Sequence, residues 1–159
     1  MIDHVWSILC SRAIIDLRTN NISLIDIVEE IMVPVPPTYI TERKPLPLAL
    51  AITVVSLWRR ELDDQPTKGR GRVRLLMPHQ NEAKQISVYE IDLSEKLRTR
   101  AYGDIPGIPF MGPGTYRFII QLQNEREDEW KEVASIPLRV TMQAAKEPTP
   151  LDTGKDIVP

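Results

Sequence analysis

The chain is short of the residues that most often carry chemistry. Its 159 residues include one cysteine and two histidines. A lone Cys10 excludes an intramolecular disulfide, so folding needs no oxidising compartment. Cys10 with His4 and His79 is too small a set for a structural zinc centre of four Cys or His ligands. Glycine is scarce as well, 7 against 14 prolines, which inverts the usual order. Proline fixes φ and gives up an N–H, so this balance favours extended segments, strand edges and loops over helices. A basic excess is also missing: 20 Lys and Arg against 22 Asp and Glu leave a net charge of -2, which argues against a dedicated nucleic-acid binder. The longest uncharged apolar run, Pro45 to Trp58, falls short of the roughly 20 residues a spanning helix needs and carries two prolines. Met1 to His4 has no basic n-region, and Arg12 interrupts the apolar stretch that follows, so the expected location is cytoplasmic.

What remains is an ordinary globular composition, 42% hydrophobic and 26% charged. At about 150 residues per domain the length fits one domain, large enough to bury a core without cross-links. Val5 to Ile15 is apolar and rich in β-branched residues, which predicts a first strand. Ile22 to Val33 carries two spacings. Leu24, Ile27, Val28 and Ile31 recur as on a helix, whereas Ile25, Ile27, Ile31 and Val33 share a strand face. Its β-branched composition favours a strand, with a short helix as the alternative. Residues 34 to 47 read as a Pro-rich connection, and Leu48 to Arg60 as a strand apolar on both faces, central in a sheet. Arg72 to Pro78, Ile86 to Leu93 and Arg98 to Tyr102 follow as shorter strands, with Asp63 to Gly71 a polar loop.

The plainest strand starts after Pro113-Gly114. Tyr116, Phe118, Ile120 and Leu122 alternate with Arg117, Ile119, Gln121 and Gln123, the pattern of a half-buried antiparallel strand. The last strand, Trp130 to Met142, turns Ala134, Ile136, Leu138 and Val140 inward, and Pro137 places it at a sheet edge. These elements predict an all-β fold: an antiparallel β-sandwich of seven or eight strands over residues 1–142, with 143–159 a disordered tail.

Two resemblances carry further. Pro113-Gly114-Thr115-Tyr116-Arg117-Phe118 resembles the start of the penultimate strand in immunoglobulin-like and fibronectin-like sandwiches. That resemblance implies that Tyr116 forms a tyrosine corner, its hydroxyl bonding to the Met111–Pro113 backbone. Leu9-Cys10-Ser11-Arg12-Ala13 with Asp16, then Asn21 to Ile27, Pro34 and the Pro-Gly-x-Tyr strand are together similar to a family of small bacterial β-sandwich proteins of unknown function. Many relatives carry glycine where this chain has Asp26. The resemblance implies a fold and no catalytic residues.

Constellations for chemistry are few. His4 and Cys10 would stand roughly 20 Å apart along one extended strand, too far for a nucleophile and its base. Gly103, Gly107, Gly112 and Gly114 are interleaved with Pro106, Pro109 and Pro113, which removes the amides a phosphate loop needs. Lys68, Arg70, Arg72 and Arg74 recur with period two and share one side of a strand. This stripe suits an anionic surface, nucleic acid or lipid headgroup, though no aromatic interleaves with it in the sequence. Its simpler reading is a solvated edge whose cations block edge-to-edge pairing, matched by Glu90 and Asp92. Glu125, Glu127, Asp128 and Glu129 read as a solvated loop tip, to which Asp63-Asp64 would add only if that loop lay at the same end. Pro34-Val35-Pro36-Pro37 and Pro148-Thr149-Pro150 have polyproline-ligand spacing. Trp6, Trp58 and Trp130 sit near strand ends beside polar residues and are the candidate interface residues. The sequence thus points to a non-enzymatic binding or assembly module without cofactor or metal. A protein partner or self-association is favoured over nucleic acid, and no membrane span is expected.

Overall fold

The computed structural model describes residues 1–36, 38–39, 44–48 and 50–144. Over these the chain is all-β. Its strands are β1 (Ile2–Ile15), β2 (Ile22–Ile27), β3 (Glu30–Val35), β4 (Leu46–Leu48), β5 (Ile52–Arg60), β6 (Thr67–Leu76), β7 (Lys84–Leu93), β8 (Arg98–Ile105), β9 (Ile108–Phe110), β10 (Gly114–Asn124) and β11 (Lys131–Ala144). Four form a sheet in the order β2-β1-β5-β8, five form a second in the order β3-β11-β10-β6-β7, and β4 pairs with β9. One buried cluster draws on both large sheets, with Trp58, Leu9 and Val54 from the first and Phe118, Tyr116, Leu75, Ile91 and Leu138 from the second. Alternation drives this. Tyr116, Phe118, Ile120 and Leu122 are all buried, while their neighbours Arg117 and Ile119 face away.

β5 is central, between β1 and β8, as its two-sided apolarity requires. Val54 and Val55 point to opposite faces, and both are fully buried. The outer face is covered because the β1–β2 hairpin curls back over it. Arg100 of β8 donates to the side-chain and backbone oxygens of Asn20 at the hairpin tip, at 3.3 and 3.0 Å.

Several expectations need correction. Eleven strands are present among the described residues, more than the seven or eight read from the sequence, because two long segments are divided and a short strand, β9, forms where none was expected. The segment Ile22–Val33 is two strands, not one, and they lie in different sheets. Asp26 takes a φ of 49°, a left-handed conformation that glycine adopts freely and Asp tolerates. Ser11 holds it there, its hydroxyl lying 3.0 Å from Asp26 Oδ2 and 3.1 Å from the Ile25 carbonyl. The chain then crosses sheets, and β3 joins β11 in parallel, so the pairing is mixed and not purely antiparallel. Leu48–Arg60 is likewise interrupted, into β4 and β5.

β11 is not an edge strand along its whole length. β3 pairs it only from Arg139 onward, so Pro137 sits on the free part, where its missing N–H costs no ladder bond. β11 also runs to Ala144, past the boundary expected at 142. The rest of the expected tail, including Pro148 and Pro150, lies outside the described residues, as does Pro37 of the first proline cluster.

Tyr116 is fully buried at the start of β10. Its hydroxyl accepts from the Met111 N–H at 2.8 Å and donates to the Gly112 carbonyl at 3.1 Å. One side chain thereby satisfies two backbone groups of a turn in which Gly112 and Gly114 both have positive φ.

Candidate binding surface

β6 is not the edge its cations suggested. It lies inside the five-stranded sheet, between β10 and β7. Gly69, Gly71, Val73 and Leu75 turn inward and are buried, which leaves Lys68, Arg70, Arg72 and Arg74 on the outer face. Across the sheet the register sets Lys68 opposite Asp92 and Arg70 opposite Glu90 on β7, and Arg70 and Arg72 opposite Gln123 and Gln121 on β10.

The four cations are held differently. Lys68 is neutralised by Asp92 at 3.0 Å. That contact raises the lysine pKa, and Ser94 and Lys68 together hold the Asp92 carboxyl far below its ordinary range. Arg70 donates to Gln123 Oε1 at 2.6 Å, Arg72 to Gln121 Oε1 at 2.7 Å, and Arg74 to the Ala83 carbonyl. Among the described residues, none of the three guanidiniums is in an ion pair.

Trp130, at the end of the β10–β11 connection, lies over this row. The Arg72 guanidinium is 4.2 Å and that of Arg70 5.8 Å from its ring centroid, within cation–π range. An aromatic does interleave with the stripe, then, but it comes from more than fifty residues away in sequence. A bulge in the β10–β11 ladder between Ile120 and Gln121 precedes it, and Gln123 Nε2 donates to the Asp128 carbonyl, pinning the connection. Desolvation and the neighbouring Arg74 lower the pKa of Arg72.

The other candidate tryptophans divide. Trp6 is half-buried, as Trp130 is. Trp58 is fully buried, and it is withdrawn as an interface residue. It points inward from β5 with His4 edge-on at 5.0 Å and Tyr89 at 6.4 Å between centroids.

A polar chain beside Trp58 escaped the sequence reading. His4 Nε2 shares a hydrogen bond with Ser7 Oγ at 2.7 Å, Ser7 with Ser56 at 2.7 Å, and the Tyr89 hydroxyl donates to Ser56 at 3.4 Å. The signal was hidden because a bulge in β1 between His4 and Trp6 shifts the strand's register. Residues three apart on a regular strand would face opposite ways. An imidazole and a hydroxyl at this distance have the spacing of a base and its nucleophile. Here the hydroxyl passes its bonding on to Ser56, fully buried, and to Tyr89 across the core.

Burial holds the His4 imidazole below its ordinary pKa of 6.5, against a smaller opposing effect of the Trp6 backbone. The folded protein thus binds this proton less readily than the unfolded chain, so the stabilisation is intact above pH 6.5 and is lost as pH falls below it. Urea midpoints at pH 7.5 and 5.5 should therefore fall further for the native chain than for His4→Gln. Equal falls would refute this assignment.

The acidic loop does meet the Asp63-Asp64 loop at one end. Asp64, Glu125 and Glu127 line an open hollow of about 640 Å³ with Met1 and Arg126. Glu127 is engaged by Lys131 at 2.9 Å and Asn124 at 3.0 Å, which lowers its pKa. No group of three or more Asp, Glu, His or Cys side chains suited to a metal ion is present among the described residues. Cys10 is buried and His79 exposed at a positive-φ position. Within the described residues no helix is long and apolar enough to cross a membrane.

Comparison with known proteins adds little. No family model matches the chain, and no curated protein does. Two solved structures of a beta-glucosidase from Listeria innocua, one in complex with glucose and one without, align with TM-score 0.45 at 9% and 8% identity. Each alignment covers 75% of this chain and 15% of the other, so the chain spans about a seventh of those proteins.

Proposed function

We propose that this chain is a non-enzymatic binding and assembly module, an immunoglobulin-like β-sandwich of the cytoplasm that associates with a second copy of itself. The observation that carries the reading is the β1–β2 hairpin. It exposes Ile25 and Ile27 on the edge strand β2 and Ile14 and Ile15 on β1 beside it, and Leu17 at its tip is 96% exposed. A long apolar strand edge is a template for pairing with another chain. Two copies of β2 meeting about a twofold axis bury the same residues on both sides, the commonest geometry of homodimers. The apolar surface continues into a groove of about 370 Å³ lined by Ile8, Ile27, Ile136 and Pro137. The non-enzymatic reading is supported by the polar chain, in which half-buried His4, Ser7 and Tyr89 bond one another and the buried Ser56.

Light scattering after size exclusion tests this. The native chain is expected at twice its 18.2 kDa mass, and Ile25→Lys with Ile27→Lys is expected to return it to a single chain with an unchanged circular-dichroism spectrum. A native mass of one chain at every concentration would overturn the assembly reading.

A further inference from the structure

The outer face of the five-stranded sheet is a second surface, independent of the hairpin. We infer that Arg70, Arg72 and Arg74, organised by Trp130, dock a short acidic segment of a protein partner lying extended along β6.

The first reason is unspent charge. Among the described residues, four side-chain cations meet carboxylates: Arg59 with Asp3, Arg139 with Glu30, Lys131 with Glu127 and, in the same stripe, Lys68 with Asp92. The three β6 guanidiniums are bonded to neutral oxygens instead. Arg117 shares their face, since its strand neighbour Ile119 pairs with Arg74 two residues on. A net negative chain thus keeps a compact cationic row whose guanidiniums bond neutral oxygens, with Glu90 opposite Arg70 but no ion pair on Arg70, Arg72 or Arg74 among the described residues.

The second reason is preorganisation. Stacking on Trp130 and the bonds to Gln121 and Gln123 fix these long side chains before any ligand arrives. Less rotamer entropy is then lost on binding, and a guanidinium fork matches a carboxylate with two parallel bonds.

The third reason is spacing and length. Alternate residues of a strand repeat every ~6.8 Å, so the arginines match carboxylates at alternate positions of another extended chain. The row is short. At its Arg70 end the surface is lined by Glu90, Glu125, Glu127 and Asp128, with Lys68 already paired. A continuous polyanion such as nucleic acid would run onto these acids. A peptide carrying two or three carboxylates ends before them.

The probe is a fluorescein-labelled peptide of alternating glutamate and threonine, followed by anisotropy. Saturable binding is expected, weakening at least tenfold between about 50 and 300 mM salt because the contacts are ionic and partly exposed. Arg72→Glu with Arg74→Glu should lower affinity more than about tenfold. Should that variant fail to fold, Arg74→Gln, which keeps the Trp130 stack, should lower it by roughly threefold. Ile25→Lys with Ile27→Lys should bind the peptide as the native chain does, so failure of the self-association reading leaves this result standing. Three outcomes would overturn the inference. These are no saturation with the peptide, unchanged affinity in the arginine variants, or tighter binding of a single-stranded oligonucleotide of equal charge.

Discussion

Alanine at Gly71 is expected to destabilise the protein by about 2–3 kcal/mol through overpacking. Gly71 faces the core on β6, directly opposite Tyr89 on β7. The ring of Tyr89 lies across it, so a Cβ built there would stand 2.1 Å from Cε2 and 2.6 Å from Cζ. No rotamer adjustment of a few tenths of an ångström relieves that. The ring must leave, taking its hydroxyl from Ser56 and its face from Trp58. An aromatic packed over a cross-strand glycine is a pairing in which each residue needs the other. For a domain of this size the loss corresponds to a melting temperature lower by roughly 4–12 °C. Gly103 is the control. Its Cβ would meet the Ser87 Oγ at 3.2 Å and little else closer than 3.5 Å, so alanine there should cost under about 1 kcal/mol. Urea unfolding of both variants decides the matter, and equal losses would remove the account of Tyr89.

The larger loss is expected at Trp58. Alanine there should cost about 3–5 kcal/mol, the range for deleting a buried aromatic. Trp58 is fully buried and is the largest such side chain among the described residues. It bridges the two sheets, touching His4 on its own sheet and Tyr89 on the other. Among the described residues its Nε1 makes no hydrogen bond of normal geometry, so most of its contribution is packing and area. Phenylalanine should therefore recover much of the loss, leaving a deficit of roughly 1–2 kcal/mol for the smaller ring. If Trp58→Phe proved as damaging as Trp58→Ala, the indole N–H would have an unrecognised role. Loss of the blue-shifted part of the tryptophan emission in Trp58→Phe gives an independent check that the deleted ring is the buried one.

The candidate binding surface shows how unevenly a site is written into a chain. The period-two placement of Lys68, Arg70, Arg72 and Arg74 is legible, because local geometry alone puts alternate side chains on one side of a strand. That β6 is interior and not an edge is illegible. Edge or interior depends on which strands arrive on each side, and β10 and β7 come from either side of the intervening β8 and β9. Trp130 over Arg72 is illegible for the same reason. The His4–Ser7 contact was hidden by a single inserted residue in β1, which no alternation count detects.

What the sequence by itself determined is the β character and much of the core's apolar alternation. Alternating apolar residues on Tyr116 to Leu122, the two-sided apolarity of the β5 segment and the Pro-Gly-x-Tyr turn all act within a few residues, and local sterics and burial suffice to read them. Tertiary structure alone decided the sharing of strands between sheets, the parallel docking of β3 on β11, the withdrawal of Trp58 into the core and the meeting of Trp130 with the arginines. Each of these depends on contacts between residues far apart in the chain. The free energy of such a contact belongs to the pair and its surroundings, and neither residue's own neighbourhood in the sequence contains it.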